Sequence, residues 1–338
     1  MEKLRINIIS ETVFSVKGHG VHTAYIENLT SLQKREDVIV TTNVRTPADI
    51  IHIHTVGPYS VRFMLFGKSK LKFISAHVVP DSFVGSLVGA KYWKPLAKVY
   101  LRWLYNRADG VFAVSSEVVD ELKAMGIRKP IHLVPNTIDI TPYKTTAAQK
   151  KEIREELKIK PDAFVVVASG QVQPRKRVDS FIKAAEALPE VNFIWVGGMP
   201  FKNAAANHKE MQAVMDHPPK NVIFTGVIDH EKVIPYYRAS DVFFLPSEQE
   251  TFGIVVVEGA AAGLPVILRN NDQYKITFED WYLAGDDDSF IEIIKKLHSD
   301  KAHYKQWQTQ SAKLAAKYDS VAGAQQIVDI YQKALEAK

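Results

Sequence analysis

Short apolar runs alternate with amphipathic stretches along nearly the whole chain, and this pattern narrows the fold more than any other feature. Leu4–Ser10, Val38–Thr41, Ile50–His54, Leu71–Ala76, Gly110–Ser115 and Ile131–Pro135 read as strands, with Val21–Leu32 and Ser116–Met125 as helices between them. A second series follows: Ala163–Ser169, Val191–Val196, Val222–Phe224, Asp241–Pro246 and Pro265–Leu268. The polar stretch Asp139–Asp162, with Pro142 and Pro161, separates the two. Strands alternating with helices build parallel sheets covered on both faces. The expected fold class is therefore α/β, with two Rossmann-like doubly wound domains, one over 1–145 and one over 146–319. In such sheets ligands bind beyond the carboxyl ends of the strands, so motifs that directly follow strands carry the most weight.

At 338 residues the chain can bury two cores of ordinary size. With 46% hydrophobic and 24% charged residues, it has the profile of a globular protein and not of a disordered one. No apolar run approaches the roughly 18–20 residues that cross a bilayer, and Met1–Ser10 lacks a signal-peptide core. The chain has no cysteine, which excludes disulfides and thiolate chemistry. A cytoplasmic location is the expectation.

The segment after the strand at Asp241–Pro246 is the most informative. It runs Ser247-Glu248-Gln249-Glu250-Thr251-Phe252-Gly253-Ile254, continues through Glu258, and is expected to start a helix near Thr251. The N–H groups of Phe252, Gly253 and Ile254 would then face a ligand at a helix N-terminus, a site suited to a diphosphate. Glu250 and Glu258 frame this site. Eight residues of continuous helix would separate them by about 12 Å, too far for a glycosidase pair at roughly 5–9.5 Å. One carboxylate at each end of a nucleotide sugar fits better. The plainer alternative is an N-terminal Glu favoured by the helix dipole and a second Glu facing solvent.

This segment resembles the paired-glutamate signature of family 4 retaining glycosyltransferases of the GT-B fold. The resemblance implies that Glu250 grips the donor sugar, Glu258 grips its ribose, and the two domains face each other across a cleft. The run from Ser169 to Asp179 is similar to the family's phosphate loop, which makes Lys176 and Arg175 ligands of the donor diphosphate. Here Gln171 stands where Arg is usual and Arg177 where Gly is usual. Lys and Arg would neutralise the departing nucleoside diphosphate, so neither cofactor nor metal is expected beyond the UDP-hexose donor.

Weaker matches extend the resemblance. Pro135-Asn136-Thr137-Ile138-Asp139 is similar to a motif at the end of the family's first domain, and Thr225-Gly226-Val227-Ile228 to the unit around the base, which assigns Gly226 to the donor. Arg238 and Asp241 read equally well as a structural ion pair. Val16-Lys17-Gly18-His19-Gly20-Val21-His22 fails as a dinucleotide fingerprint, because Thr23 holds the third glycine position. It resembles the family's glycine loop instead, with Gly18 and Gly20 toward donor phosphates and His19 toward the acceptor. His77 occupies the place of the family's cleft histidine, implying contact with the transferred hexose, and Asp81 is placed with the acceptor. His52 and His54 alternate along one strand. A metal role is conceivable there, but no third ligand is evident nearby, and a structural role is preferred. By the same resemblance the final helix, within 320–338, crosses back to the first domain.

Between Arg62 and Arg107 the chain has nine Lys or Arg and one acidic residue, Asp81. Helical spacing from Pro95 places Leu96, Val99, Tyr100, Trp103 and Leu104 on one face, flanked by Lys91, Lys94, Lys98 and Arg102. Trp93 and Trp103 are suited to a membrane interface. An anionic membrane surface is the expected partner, at the cytoplasmic face of the plasma membrane. A solvated helix is the alternative, and nucleic acid is disfavoured because no binding module accompanies the charges. The stretch after His77, and Asn270–Lys275, resemble bacterial enzymes that extend glucosyl-diacylglycerol to the diglycosyl anchor of lipoteichoic acid. The expected function is hexose transfer from UDP-hexose to a glycolipid acceptor such as α-glucosyl-diacylglycerol. A soluble glycan or other lipid acceptor is the alternative. From different classes, a dinucleotide-dependent oxidoreductase and a module binding anionic surfaces remain as readings.

Overall fold

The computed structural model describes residues 3–14, 20–80, 90–199 and 208–338, and only the backbone at 20, 90–93, 208–209 and 230. Two compact units are present. The first holds the described residues up to Asp139 together with Tyr318–Lys338, and the second holds Ile140–Lys317.

Six parallel strands form the sheet of the first unit: β1 (Leu4–Ile9), β2 (Val38–Thr42), β3 (Ala48–Ile53), β4 (Ser69–Ala76), β5 (Gly110–Ala113) and β6 (Ile131–Leu133). Their spatial order is β2-β1-β3-β4-β5-β6, so the winding reverses between β1 and β3. Every residue of β3 is buried, the mark of a strand covered on both faces. The helices are α1 (Gly20–Gln33), α2 (Pro58–Phe66), α3 (Ala90–Tyr105) and α4 (Ser116–Met125).

Only part of the expected apolar face of α3 is outward. Leu101, Leu104, Tyr105 and the following Ala108 are buried at helical spacing. Leu96 and Val99 are 75% and 68% exposed, and Tyr100 and Trp103 are each 38% exposed. Leu104 therefore belongs to the core and not to the outer face, because it shares the core stripe with Leu101 and Ala108.

The second unit has its own parallel sheet, in the order β12-β11-β10-β7-β8-β9. Its strands are β7 (Val165–Ser169), β8 (Asn192–Val196), β9 (Val222–Phe224), β10 (Val242–Leu245), β11 (Val266–Arg269) and β12 (Leu283–Gly285). The first strand of the unit lies beside the fourth, the dinucleotide-fold order, with the winding reversing between β7 and β10. β12 is missing from the sequence reading, since three residues show no period. The helices are α5 (Ala147–Glu156), α6 (Val178–Ala187), α7 (His208–Asp216), α8 (Ile234–Ala239), α9 (Ile254–Ala261), α10 (Asp272–Phe278), α11 (Phe290–Ser299) and α12 (Lys301–Lys317).

A capping box at Thr146 and Gln149 starts α5. Lys150 and Arg154 of this helix each reach the Asp241 carboxylate at 2.7 Å. The same carboxylate accepts the Val165 N–H at 2.8 Å. Asp241 is thus held by α5 and β7, whereas Arg238 Nε is buried with no hydrogen-bond partner. The Arg238–Asp241 pairing is corrected, because two closer cations on α5 take the carboxylate.

Helix α13 (Ser320–Glu336) returns to the first unit, its N-terminus capped by Asp319. Ala324, Ile327, Val328 and Tyr331, at one-face spacing, join Ile8, Tyr25, Phe73 and Phe112 in the core. Burying each large side chain contributes roughly 1.5–3 kcal/mol.

Candidate active site of the second unit

The winding reversal sets two loops side by side. One follows β7 and carries Arg175, Lys176 and Arg177, and the other follows β10 and carries Glu248 and Glu250. One backbone and one side-chain hydrogen bond tie them together: Glu248 N–H donates to the Arg175 carbonyl at 2.9 Å, and Ser247 Oγ donates to it at 3.2 Å. Lys176 and Glu250 are both buried, and their side chains form a direct ion pair. Arg175 stands 3.5 Å from the other Glu250 oxygen and donates to the Gln249 carbonyl at 2.6 Å. Burial works to raise the Glu250 pKa, but the charges of Lys176 and then Arg175 outweigh it and hold the carboxyl below its usual range. Burial also draws Lys176 below an ordinary lysine. Two cations meet one carboxylate, so the cluster keeps a surplus positive charge in a site sparsely reached by water. An ammonium has three donors, so Lys176 can hold Glu250 and an anionic ligand at once.

Glycines open space over this cluster. Gly170 has φ +141°, and a Cβ there would stand 3.4 Å from Lys176 Nζ. Gly253 has φ +88°, a left-handed turn that places it as the N-cap of α9, with no side chain capping the helix. The helix consequently begins at Ile254, three residues later than expected. Glu250 precedes it, so the 12 Å spacing from continuous helix does not apply. The position of a Gly253 Cβ is 3.7 Å from Glu250 Cβ, which puts the start of α9 beside the ion pair. The first N–H groups of a helix have no partner within it. Phe252 and Ile254 are buried, and Phe252 packs against Phe278 at 5.9 Å.

Glu258 is buried inside α9 and accepts a 2.7 Å hydrogen bond from the Tyr237 hydroxyl, so it does not face solvent. Gly226 adopts φ +68° after β9, with no atom within 4 Å of an added Cβ. Three supporting residues lie in segments that the sequence singles out, Tyr237 after Thr225–Ile228 and Asn271 and Gln273 within Asn270–Lys275, but receive no individual role from it. Gln273 brackets Glu250, donating to its carbonyl and accepting its N–H. Asn271 caps α10 and reaches the Glu248 carbonyl at 3.3 Å. Tyr237 orients Glu258. Nothing in their spacing marks them, since their partners lie on other loops.

Arg177 stands where a glycine is usual and keeps the glycine-like geometry, φ +52°. Its guanidinium bridges Asp179, Glu248 and Asp287, each at 2.8 Å. Asp287 also receives Ser180 and Arg269, each at 2.6 Å. Burial opposes ionisation of Asp287, but these hydrogen bonds and charges bring its pKa down to about 2. Arg177 therefore laces the loops after β7 and β10 to the segment just before α11.

In the first unit, His77 is buried after β4, its Nε2 3.1 Å from His54 Nδ1. His52 is hydrogen-bonded to Ser75 at 2.8 Å and Tyr331 at 2.6 Å. No group of three or more metal-binding side chains occurs among the described residues. Gly18, His19 and Asp81 lie outside the described residues, as do the side chains of Lys91 and Trp93, and Gly20 is described as the first residue of α1. Just past the end of α3, Arg107 adds a cation outside the stripe, its guanidinium 4.6 Å from the centre of the Trp103 ring. No helix among the described residues is long and apolar enough to cross a membrane.

Residues 4–141 match the family described as Glycosyltransferase Family 4, and residues 149–314 the family described as Glycosyl transferases group 1. The alpha-galactosylglucosyldiacylglycerol synthase of Streptococcus pneumoniae is 32% identical, covering 98% of this chain and 90% of the relative. The processive diacylglycerol alpha-glucosyltransferase of Acholeplasma laidlawii is 25% identical, over 88% of this chain and 90% of the relative. Among solved structures, Anabaena HepE in complex with UDP-glucose superposes with a TM-score of 0.77 at 18% identity, covering 98% of this chain and 100% of the other. Sucrose-phosphate synthase from Thermosynechococcus elongatus superposes with a TM-score of 0.78 at 18% identity, over 99% and 100%. The two sheets, the loops that the second sheet brings side by side and these likenesses lead to one conclusion: the chain belongs to the family 4, group 1 glycosyltransferases and has the GT-B fold.

Proposed function

We propose that this glycosyltransferase moves a hexose from UDP-glucose or UDP-galactose to a glycolipid acceptor such as α-glucosyl-diacylglycerol, retaining the anomeric configuration. The observation that carries the donor half is the buried Lys176–Glu250 pair, with Arg175 beside it, where the winding of the second sheet reverses. The acceptor half rests on the likeness to relatives named for diacylglycerol glycolipids, one of them along nearly the full chain.

Lys176, Arg175 and the α9 N-terminus would take the diphosphate, Glu250 the sugar hydroxyls and Glu258 the ribose. His77, in the first unit, is assigned to the transferred hexose. The acceptor hydroxyl oxygen bonds to the anomeric carbon as the bond from that carbon to the phosphate oxygen breaks. The hydroxyl proton passes to the departing phosphate, and both events take place on one face of the sugar. Two side-chain cations neutralise the leaving group where other transferases use a metal. The apolar outer face of α3, with Lys98 exposed beside it, would set the enzyme on anionic lipid as a peripheral protein.

The test combines UDP-glucose or UDP-galactose with α-glucosyl-diacylglycerol in anionic vesicles, under excess EDTA, with NAD(P) alone as a control. The expected result is an α-linked diglycosyl lipid, identified by mass spectrometry and anomeric couplings, at a rate unchanged by EDTA. A β-linked product would end the retaining reading. Loss of rate restored only by divalent metal would count against the cation site.

Arg177→Gly is a second expectation. Removing a non-glycine residue from the left-handed region recovers about 1 kcal/mol, close to what exposed ion pairs contribute. Stability in urea should stay near that of the parent while KM for the donor rises about tenfold, on the order of 1.4 kcal/mol. An unchanged KM would show that the loops hold their places without the arginine.

A further inference from the structure

His52 of β3 with His54 just beyond it, and Ser75 of β4 with His77 just beyond it, lie on one sheet face against Tyr25 of α1 and Tyr331 of α13. The pairing of His52 with Phe73 and Ile53 with Ile74 sets this register. The three imidazoles form a buried row: the rings of His52 and His54 are 4.3 Å apart, and those of His54 and His77 are 5.2 Å apart and nearly parallel. Tyr331 and Ser75 fix the His52 end. The family assignment gives His52 and His54 no task.

Protons in this row follow from its hydrogen bonds. In the 3.1 Å contact between His54 Nδ1 and His77 Nε2, one nitrogen must carry the proton and the other the lone pair. His54 Nε2 is buried with no hydrogen-bond partner. Were His77 the donor, His54 would hold its own proton on that partnerless nitrogen. Buried N–H groups without an acceptor are rare. The opposite arrangement leaves only a lone pair there. Burial, aided by the neighbouring rings, keeps His54 far below an ordinary histidine and brings His52 down to about 3, so both are neutral near pH 7.

We infer that His54 is a positioning residue: its Nδ1–H donates to His77 Nε2, which fixes the His77 ring and places the His77 proton on Nδ1. This rests on the reading above that His77 contacts the transferred sugar.

The test uses the full-length enzyme labelled with nitrogen-15 at histidine, with long-range nitrogen–proton spectra and kinetics side by side. His77 should show a bare Nε2 and a protonated Nδ1 in the parent. In His54→Phe the tautomers should mix and kcat should drop about tenfold or more, with KM for the donor little changed. His54→Asn offers an amide N–H near the Nδ1 position and should restore both the spectrum and most of the turnover. If His54→Phe does not fold, the Asn variant decides between the outcomes. A protonated Nε2 on His77 in the parent overturns the inference. So does an unaltered His77 tautomer and kcat in His54→Phe, or a folded Asn variant with no recovery. Parental turnover in His77→Ala would sink the reading of His77 itself, whatever the spectra of His54 show.

Discussion

Turnover of Lys176→Ala and of Glu250→Ala is expected to fall at least about a hundredfold each, the scale of a lost transition-state charge contact. Both side chains are buried against each other, so each single change also strands a charge away from water. Removing one member of such a pair costs about 3–5 kcal/mol, whereas replacing both with apolar groups of similar size is often neutral. Loss of activity in a single variant therefore mixes two causes. Lys176→Met combined with Glu250→Leu separates them. Its melting temperature should recover toward the parent while its turnover stays at the level of the weaker single variant. Recovery of turnover along with stability would mean that the pair holds the loops together and does not touch the donor.

That separation depends on burial, which the sequence does not state. The fold class was legible, because parallel strands are buried runs of Val, Ile and Phe and stand out from the amphipathic stretches between them. Glu250 was legible because it follows a strand, and Lys176 through the likeness of its loop to the family's phosphate loop; the strand order, with β7 beside β10, is what brings the two together. What the sequence hid was set by backbone turns and distant partners. The left-handed turn at Gly253 delays α9 and takes Glu250 out of it, which no helical period reveals. Glu258 was readable as solvent-facing until Tyr237, from another helix, supplied its hydrogen bond. Asp241 found its cations on α5, some ninety residues earlier, and Leu104 turned inward with Leu101. A pattern of residue types fixes which face a helix presents only when both apolar stripes have been assigned, and α3 has two.

The outward stripe of α3 leads to the second large effect. On vesicles rich in anionic lipid, each basic group near the surface contributes about 1 kcal/mol. Changing Lys94, Lys98 and Arg102 together to Glu removes roughly 3 kcal/mol, more than a hundredfold in affinity, and repulsion adds to the loss. Arg102 also lies against Gly126 at the end of α4, where its Cζ stands 3.1 Å from an added Cβ. A variant that spares it, Leu96→Ser with Val99→Ser, tests the apolar part alone. The two parts respond differently to salt. Raised ionic strength should weaken the parent strongly and the serine variant in the same proportion, since both keep the charges. The glutamate variant should bind weakly at every salt concentration. Trp103 reports on insertion, because entry into lipid shifts its fluorescence to the blue, and that shift should shrink in both variants. On a short, detergent-soluble acceptor both should keep parental turnover, as the Lys176–Glu250 pair belongs to the other unit. Vesicle binding equal to that of the parent in both variants would make α3 an ordinary solvated helix, and a soluble glycan would then be the better acceptor.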